Sequence, residues 1–389
     1  MIATPAAYPI AEHLAEGHEA VASIRPLLVC LSHLRWGFVY QRPQHLMTRM
    51  ARRYDVLFFE EPLAAEGEQA YLQLSLQSSG VTVATPHLPV GLDAAQTEQK
   101  LRELLDDYLL RNPREVLLRW YFTPMSLGFS EHLPARGTVY DCMDELSAFK
   151  GAPPQLLERE RRLLALADVV FTGGVSLWEA KRAQHGNVHA MPSSVDIEHF
   201  ASARQALPEP VDQAVIAHPR LGFFGVVDER LDLALLEGLA RQRPYWQLVI
   251  LGPVVKIDEA SLPRLPNIHY LGGKAYSELP AYLSGWDVAL MPFARNEATR
   301  FISPTKTPEY LAGGCPVVST PIRDVVRTYG ACPVVHIAED GPGFVAAVEA
   351  ALIQRKDREA LFRLADQALN GMSWDTTWNA MMEHIACLA

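Results

Sequence analysis

Short apolar runs of strand length alternate with helical patterns from one end of this 389-residue chain to the other. A strand buried on both faces reads as a continuous apolar run, and an intervening amphipathic segment supplies the crossover helix, so the pattern predicts right-handed βαβ units and parallel sheets. In the first half the runs are PLLVCL (26–31), DVLFFEE (55–61), VTVATP (81–86), EVLLRWYF (115–122), TVYDC (138–142) and DVVFTG (168–173). Pro43 is placed to open the first helix, which the pattern carries to about Arg53. A polar, proline-rich stretch, ALPEPVD (206–212), reads as a linker. A second series follows it: RLGFFG, WQLVILG, NIHYLG, DVALMPF, CPVVST and PVVHIA. The prediction is α/β, with two Rossmann-like domains over residues 1–205 and 206–371. After a break at Gly371, a last helix within 372–389, from about Trp374 to Cys387, returns to the first domain.

Length agrees with two domains, since single cores stop growing near roughly 250 to 300 residues. The chain carries 35 Lys plus Arg against 45 Asp plus Glu, a net charge of −10, without blocks of one sign. Broad nucleic-acid binding is therefore excluded as an expectation. Five scattered cysteines (Cys30, Cys142, Cys315, Cys332, Cys387) lack CxxC spacing and read as packing thiols in a reducing compartment. Residues 1–20 have no basic start followed by an apolar run, and no apolar stretch reaches the ~18 residues of a membrane span. A cytoplasmic location is expected. Peripheral attachment at the inner membrane face, through a short amphipathic helix, is compatible with it.

The most informative segment is SPTKTPEYLAGGCPVVST (303–320), which puts a helix start, a cation and a carboxylate just beyond a strand end, where parallel sheets bind ligands. Ser303, Thr305 and Thr307 can cap, Pro304 or Pro308 can take a first helical position, and free amides there attract phosphate. Pro308 places the start at Thr305 or Thr307. Gly313 and Gly314 end the helix. A plain alternative is a capped surface helix in which Lys306 and Glu309, three apart, pair with each other.

In the first half, His33, Arg35, Trp36, Arg42 and His45 crowd the segment after strand one, and Asp141, Asp144 and Glu145 follow strand TVYDC. Polar groups at these strand ends face a ligand cleft, and Asp144 is the carboxylate expected nearest a reacting centre. Each also has a structural reading as a satisfied polar residue. GxxxxGK[ST], HExxH, CxxC, GxGxxG and Asp-x-Asp patterns do not occur.

The 303–320 segment resembles the donor-binding signature of GT-B glycosyltransferases of family 4 type, particularly those of bacterial cell-surface polysaccharide and teichuronic-acid synthesis. TVYDCMDELSAF, ADVVFTGGVSLWEAK, MPSSVDIEHF, RLGFFGVVDERLDLALL and WDVALMPF fall in that family's order. The resemblance implies a GT-B fold, its two domains facing across a cleft. A nucleoside-diphosphate sugar binds the second domain, and a saccharide or lipid-linked hydroxyl acceptor binds the first. Transfer is expected to retain configuration and to need no metal or other cofactor. Ser303, Pro304, Thr305 and neighbouring amides would hold the diphosphate beside Gly225, and Lys306 and Arg230 would neutralise the leaving group. Glu309 would take the ribose hydroxyls, and the loop with Gly273 and Lys274 would lie along the base. Asp144 and His45 would stand near the chemistry, with His33, Arg35, Trp36 and Arg42 on the acceptor side.

This sequence departs from the family twice. Phe301 stands where many relatives carry a sugar-binding glutamate, leaving Asn296, Glu297 or Arg300 to read the sugar. GVVDER (225–230) replaces the usual Gly-Arg-Leu followed by lysine, so Arg230 could equally form a surface pair with Asp232 or Glu229. Two other functions fit the same architecture: a nucleotide-sugar 2-epimerase, and a catalytically silent partner subunit. A homodimer is compatible with all three.

Overall fold

A computed structural model describes residues 25–205 and 207–388. The readings made of the N-terminal residues 1–20 and of Ala206 lie outside them. Nine strands form the first sheet: β1 Leu27–Leu31, β2 Asp55–Phe59, β3 Leu63–Ala64, β4 Tyr71–Leu76, β5 Thr82–Leu88, β6 Val116–Tyr121, β7 Gly137–Cys142, β8 Val169–Thr172 and β9 Val188–Ala190. Six form the second: β10 Arg220–Phe224, β11 Gln247–Leu251, β12 Ile268–Tyr270, β13 Val288–Met291, β14 Val317–Ser319 and β15 Val335–Ile337.

The second sheet runs β12-β11-β10-β13-β14-β15, all parallel, and the first contains the matching path β5-β2-β1-β6-β7-β8. In each, strand order reverses beside the first strand, between β1 and β6 and between β10 and β13. Loops leaving the carboxyl ends of those strands part there and open a crevice. The apolar runs read from the sequence are the central strands, buried on both faces, such as β1, β6, β7 and β10. Strands β3, β4 and β9 were not legible in that way. β4 is an edge strand antiparallel to β5 with mostly exposed side chains, so it carries no continuous apolar run.

The chain leaves the first sheet earlier than its polar stretch suggests. Val195, Phe200 and Ala203 already belong to the second domain's core, so the crossing lies between Ala190 and Val195. The helix Trp374–Ile385 packs on the first core through Trp374, Trp378, Met381, Met382 and Ile385. Their spacing forms one helical stripe. Ser373 accepts from the Thr376 amide at 2.9 Å to start the helix, and Asp375 pairs with Arg49 (2.9 Å) and Arg52 (2.7 Å).

Direct bonds join the two domains. Asp324, buried, accepts from the Ser176 amide at 3.0 and 3.3 Å and from its hydroxyl, so a carboxylate of the second domain caps the helix Val175–Lys181 of the first. Glu179 of that helix pairs with Arg323 (2.9 Å) and Arg327 (2.8 Å). Among the described residues no helix is long and apolar enough to cross a membrane. The cysteines are free, and Cys387 is exposed, so it is not the packing thiol expected of it.

Candidate functional site

The crevice of the second domain has a floor of backbone. Gly225 directly follows β10 at φ +139° and donates to Leu251 O at 2.9 Å, and Gly252 directly follows β11 at φ +143° and donates to Gly272 O at 2.8 Å. A Cβ at Gly252 would strike the Gly225 carbonyl, and one at Gly225 would overlap Lys306. Only glycine meets both the dihedrals and the clearance.

Over this floor lies the start of the helix Lys306–Ala312, with Thr305 as N-cap, one of the two starts expected. The Phe224 amide donates to the Tyr310 hydroxyl at 3.1 Å, pinning the helix to β10. Lys306 therefore extends along Gly225, its Nζ 5.8 Å from the Phe223 ring centre and 6.0 Å from that of Phe293. Among the described residues Lys306 has no ion-pair partner, so the alternative pairing with Glu309 does not form. Burial lowers the Lys306 pKa and Arg230 lowers it further, while Glu309, Asp228 and Asp144 pull it up. Burial pushes Glu309 up to about 7 against the opposing influence of Lys306 and the Thr305 hydroxyl. Both groups have lost water without gaining a full set of protein partners. The helix has only two turns, so the attraction for an anion rests on the ammonium more than on the helix dipole.

Arg230 reaches the same crevice already engaged. Its Nε lies 2.9 and 3.1 Å from the two Asp228 oxygens, and Nη2 lies 2.7 Å from Oδ2. Asp228 is buried, so the pair is neither of the surface pairs expected with Asp232 or Glu229. The Arg230 guanidinium stands 5.5 Å from the ring of Phe149, a residue of the first domain, and Lys256 covers the same ring at 4.9 Å. The Lys150 amide donates to Glu229 at 3.2 Å beside them. Asp144, on the same turn, has its pKa raised by burial, with Arg230, Arg42 and Lys306 acting in the opposite direction. The site is thus a seam: Lys306, Glu309 and Arg230 on one wall, Asp144 and Phe149 on the other.

Several residues singled out from sequence take other places. His45 is 3% exposed, stacked on Trp374 at 4.5 Å, and held neutral by burial with a pKa of about 3, so it is an interior aromatic and not a proton carrier. Arg42 is buried and spends its guanidinium on Asp141 (2.8 Å) and Met191 O (2.7 Å), which removes it from any acceptor surface. Arg35 bonds Pro62 O at 3.0 Å and lies 3.5 Å from Glu60, while Trp36 packs edge-on against Phe58. Lys274 pairs with Asp212 at 2.6 Å, fastening the polar stretch to the second domain. Arg300 is exposed, pairs with Glu297 at 3.4 Å and lies over Phe301 at 5.1 Å. Asn296 is occupied with the turn it caps and with Glu229 O at 2.9 Å.

Ser303 does face the seam, since a Cβ on Gly174 of the first domain would overlap it; Pro304 and Thr305 follow, half-buried. Gly273 is exposed, and the left-handed residue of its loop is Gly272, at φ +72°. His33 stays near the cleft with its pKa lowered to about 4 by burial and then by Lys256; its Nδ1 is buried without a partner among the described residues. Phe301 packs against the first domain's core. Sequence reasoning missed Phe149, Gly252 and Lys256. The one signal available for Gly252 was a glycine directly after an apolar run, as at Gly225.

Residues 218–370 match the family model described as glycosyl transferases group 1. The putative teichuronic acid biosynthesis glycosyltransferase TuaH of Bacillus subtilis (strain 168) is 26% identical over 306 residues, 73% of this chain and 76% of the relative. Sucrose-phosphate synthase from Thermosynechococcus elongatus superposes with a TM-score of 0.71 at 15% identity, covering 94% of this chain and 99% of the other. The catalytic domain of starch synthase IV from Arabidopsis thaliana gives 0.66 at 9% identity, covering 94% and 99%. The domain match over residues 218–370 and the relative identify a glycosyltransferase, and the likeness to the two solved structures gives its fold as GT-B.

Proposed function

We propose that the protein transfers a sugar from a nucleoside-diphosphate donor to a hydroxyl of a saccharide or lipid-linked acceptor, in the synthesis of a cell-envelope glycan. The observation that carries this reading is the Lys306 ammonium, without an ion-pair partner among the described residues, lying along the Gly225 floor beside Glu309. A diphosphate placed there meets Lys306 and the backbone at Gly225, with Ser303 and Thr305 at its edge. Glu309 accepts from the ribose hydroxyls, and the loop at Gly272 and Gly273 runs along the base. The envelope context rests on the name of the Bacillus relative.

Charge grows on the leaving oxygen as the glycosidic bond breaks, and a fixed ammonium in a water-poor seam stabilises it without reorganisation. Arg230, neutralised by Asp228, contributes less and chiefly orients. With that cationic support no divalent ion is required, and turnover should survive EDTA. We further propose retention of configuration: the departing phosphate oxygen takes the acceptor proton on the face it leaves. Asp144, opposite Lys306, then steadies the sugar instead of acting as an obligatory base, and Asp144→Ala lowers activity only modestly.

A thermal-shift panel of UDP-, GDP-, TDP- and CMP-linked sugars tests the donor. One class should stabilise the protein, by about 2.7 kcal/mol at a hundred times its dissociation constant. Incubation of that donor with candidate acceptors should give a product of unchanged anomeric configuration. No stabilisation by any of the four would refute the reading, and isomerisation of donor alone would replace transfer with epimerisation.

Glu309 adds a pH dependence of stability. Its folded pKa, about 7, lies above the ordinary carboxyl value, so the native state holds the extra proton. This contribution is full below the unfolded pKa and disappears as pH rises through about 7. Glu309→Gln should therefore gain in Tm relative to wild type between about pH 5 and pH 8. A constant Tm difference across that range would contradict the burial of this carboxyl.

A further inference from the structure

The turn that carries Asp144 and Phe149 into the seam rests on a buried cluster of charges. Lys181, the last residue of the helix Val175–Lys181, is 3% exposed and places Nζ 2.7 Å from Glu145 Oε2 and 2.8 Å from Glu160 Oε2. The other Glu145 oxygen accepts from the Ser147 hydroxyl at 2.7 Å, and the other Glu160 oxygen accepts from Tyr140 at 2.8 Å. Glu145 and Ser147 lie within the turn, whereas Glu160 and Tyr140 belong to the helix Leu156–Leu166 and to β7 beneath it. One ammonium thus ties the turn to the body of the domain.

Burying three charges is a costly way to gain stability, and residues of similar volume without charge would pack as well or better. What the cluster supplies is register. Asp144 and Phe149 sit at either end of the segment it grips, and Phe149 must meet Arg230 and Lys256 from the other domain. The same helix is capped at its start by Asp324 of the second domain, so domain docking and turn position share one rigid element.

We infer that Lys181 is a positioning residue for glycosyl transfer: by holding Glu145 and Glu160 together it fixes the 143–150 turn against the donor wall. This rests on the donor reading given above.

Lys181→Met alone leaves two facing carboxylates and is expected to destabilise the fold. The informative variant is therefore Lys181→Met with Glu145→Gln and Glu160→Gln, which removes all three charges together. It should keep a Tm close to wild type while kcat falls about tenfold or more, because a misplacement near 1 Å is enough for such a loss. Donor KM should stay within about twofold, since Lys306 and Glu309 are untouched. Lys181→Arg, which can still reach both carboxylates, should recover most of the turnover.

Amide hydrogen exchange over residues 143–150, measured in the same proteins, should quicken in the triple variant and not in Lys181→Arg. Wild-type kcat and wild-type exchange in the triple variant would overturn the inference, as would a loss confined to donor KM. If no donor is turned over by the wild-type protein, the reaction assigned above fails. Exchange then decides on its own whether Lys181 holds the turn: faster exchange upholds it and unchanged exchange sinks it.

Discussion

Lys306→Ala lowers turnover by roughly a hundredfold or more, the scale on which enzymes respond to loss of a preorganised charge stabiliser. The size follows from its surroundings. Arg230 cannot substitute, because its guanidinium is already held by both oxygens of Asp228. The helix that presents Lys306 should survive the change, since the Tyr310 bond to the Phe224 amide and the buried faces of Tyr310 and Leu311 remain. The deficit falls mainly in kcat, with donor KM raised as well by the lost diphosphate contact, and unfolding by heat is nearly unchanged. A variant that turns over as fast as wild type would remove Lys306 from the chemistry and leave the Gly225 floor without an assigned role.

Arg42→Met should cost about 3–5 kcal/mol of stability, because it strands Asp141 as an uncompensated interior charge. Asp141 has no exposed surface, and its carboxyl already sits above its usual pKa through burial, with Arg42 holding it down. The same substitution also frees the Met191 carbonyl, close to where the chain passes between domains. Urea unfolding should show the first transition shifted to lower denaturant. Adding Asp141→Leu should restore much of the loss, since the pair can be replaced together by apolar groups of similar volume. Loss of less than about 1 kcal/mol in the single variant would mean that water reaches Asp141, the range of an exposed pair.

The central strands and the donor-side segment were legible because their causes are local. A strand buried on both faces must be apolar throughout, which is why β1, β6, β7 and β10 announced themselves. A helix start after a strand end, with a lysine in its first turn, likewise carries its chemistry in the sequence. What was not legible depends on partners distant in the chain. Arg42 and His45 stand at the start of the first helix, just after a polar loop, and read as ligand-facing, yet Asp141 and Trp374 draw them into the interior. Arg230 had three acidic neighbours within two positions, and only the buried position of Asp228 decides among them. Phe149 and Lys256 gave no signal, because each acquires its place only when the two domains meet. The β4 edge escaped notice for the opposite reason, having too little buried surface to leave a pattern.

The most direct test is a crystal structure of the protein with the nucleoside diphosphate that stabilises it most. The β-phosphate should lie within about 3 Å of the Lys306 ammonium, hydrogen-bond distance for such a pair, with the ribose hydroxyls on Glu309 and the phosphate chain against Gly225. A nucleotide bound elsewhere, or one whose phosphates face solvent while Lys306 stays unpaired, would contradict the assignment of this seam as the donor site.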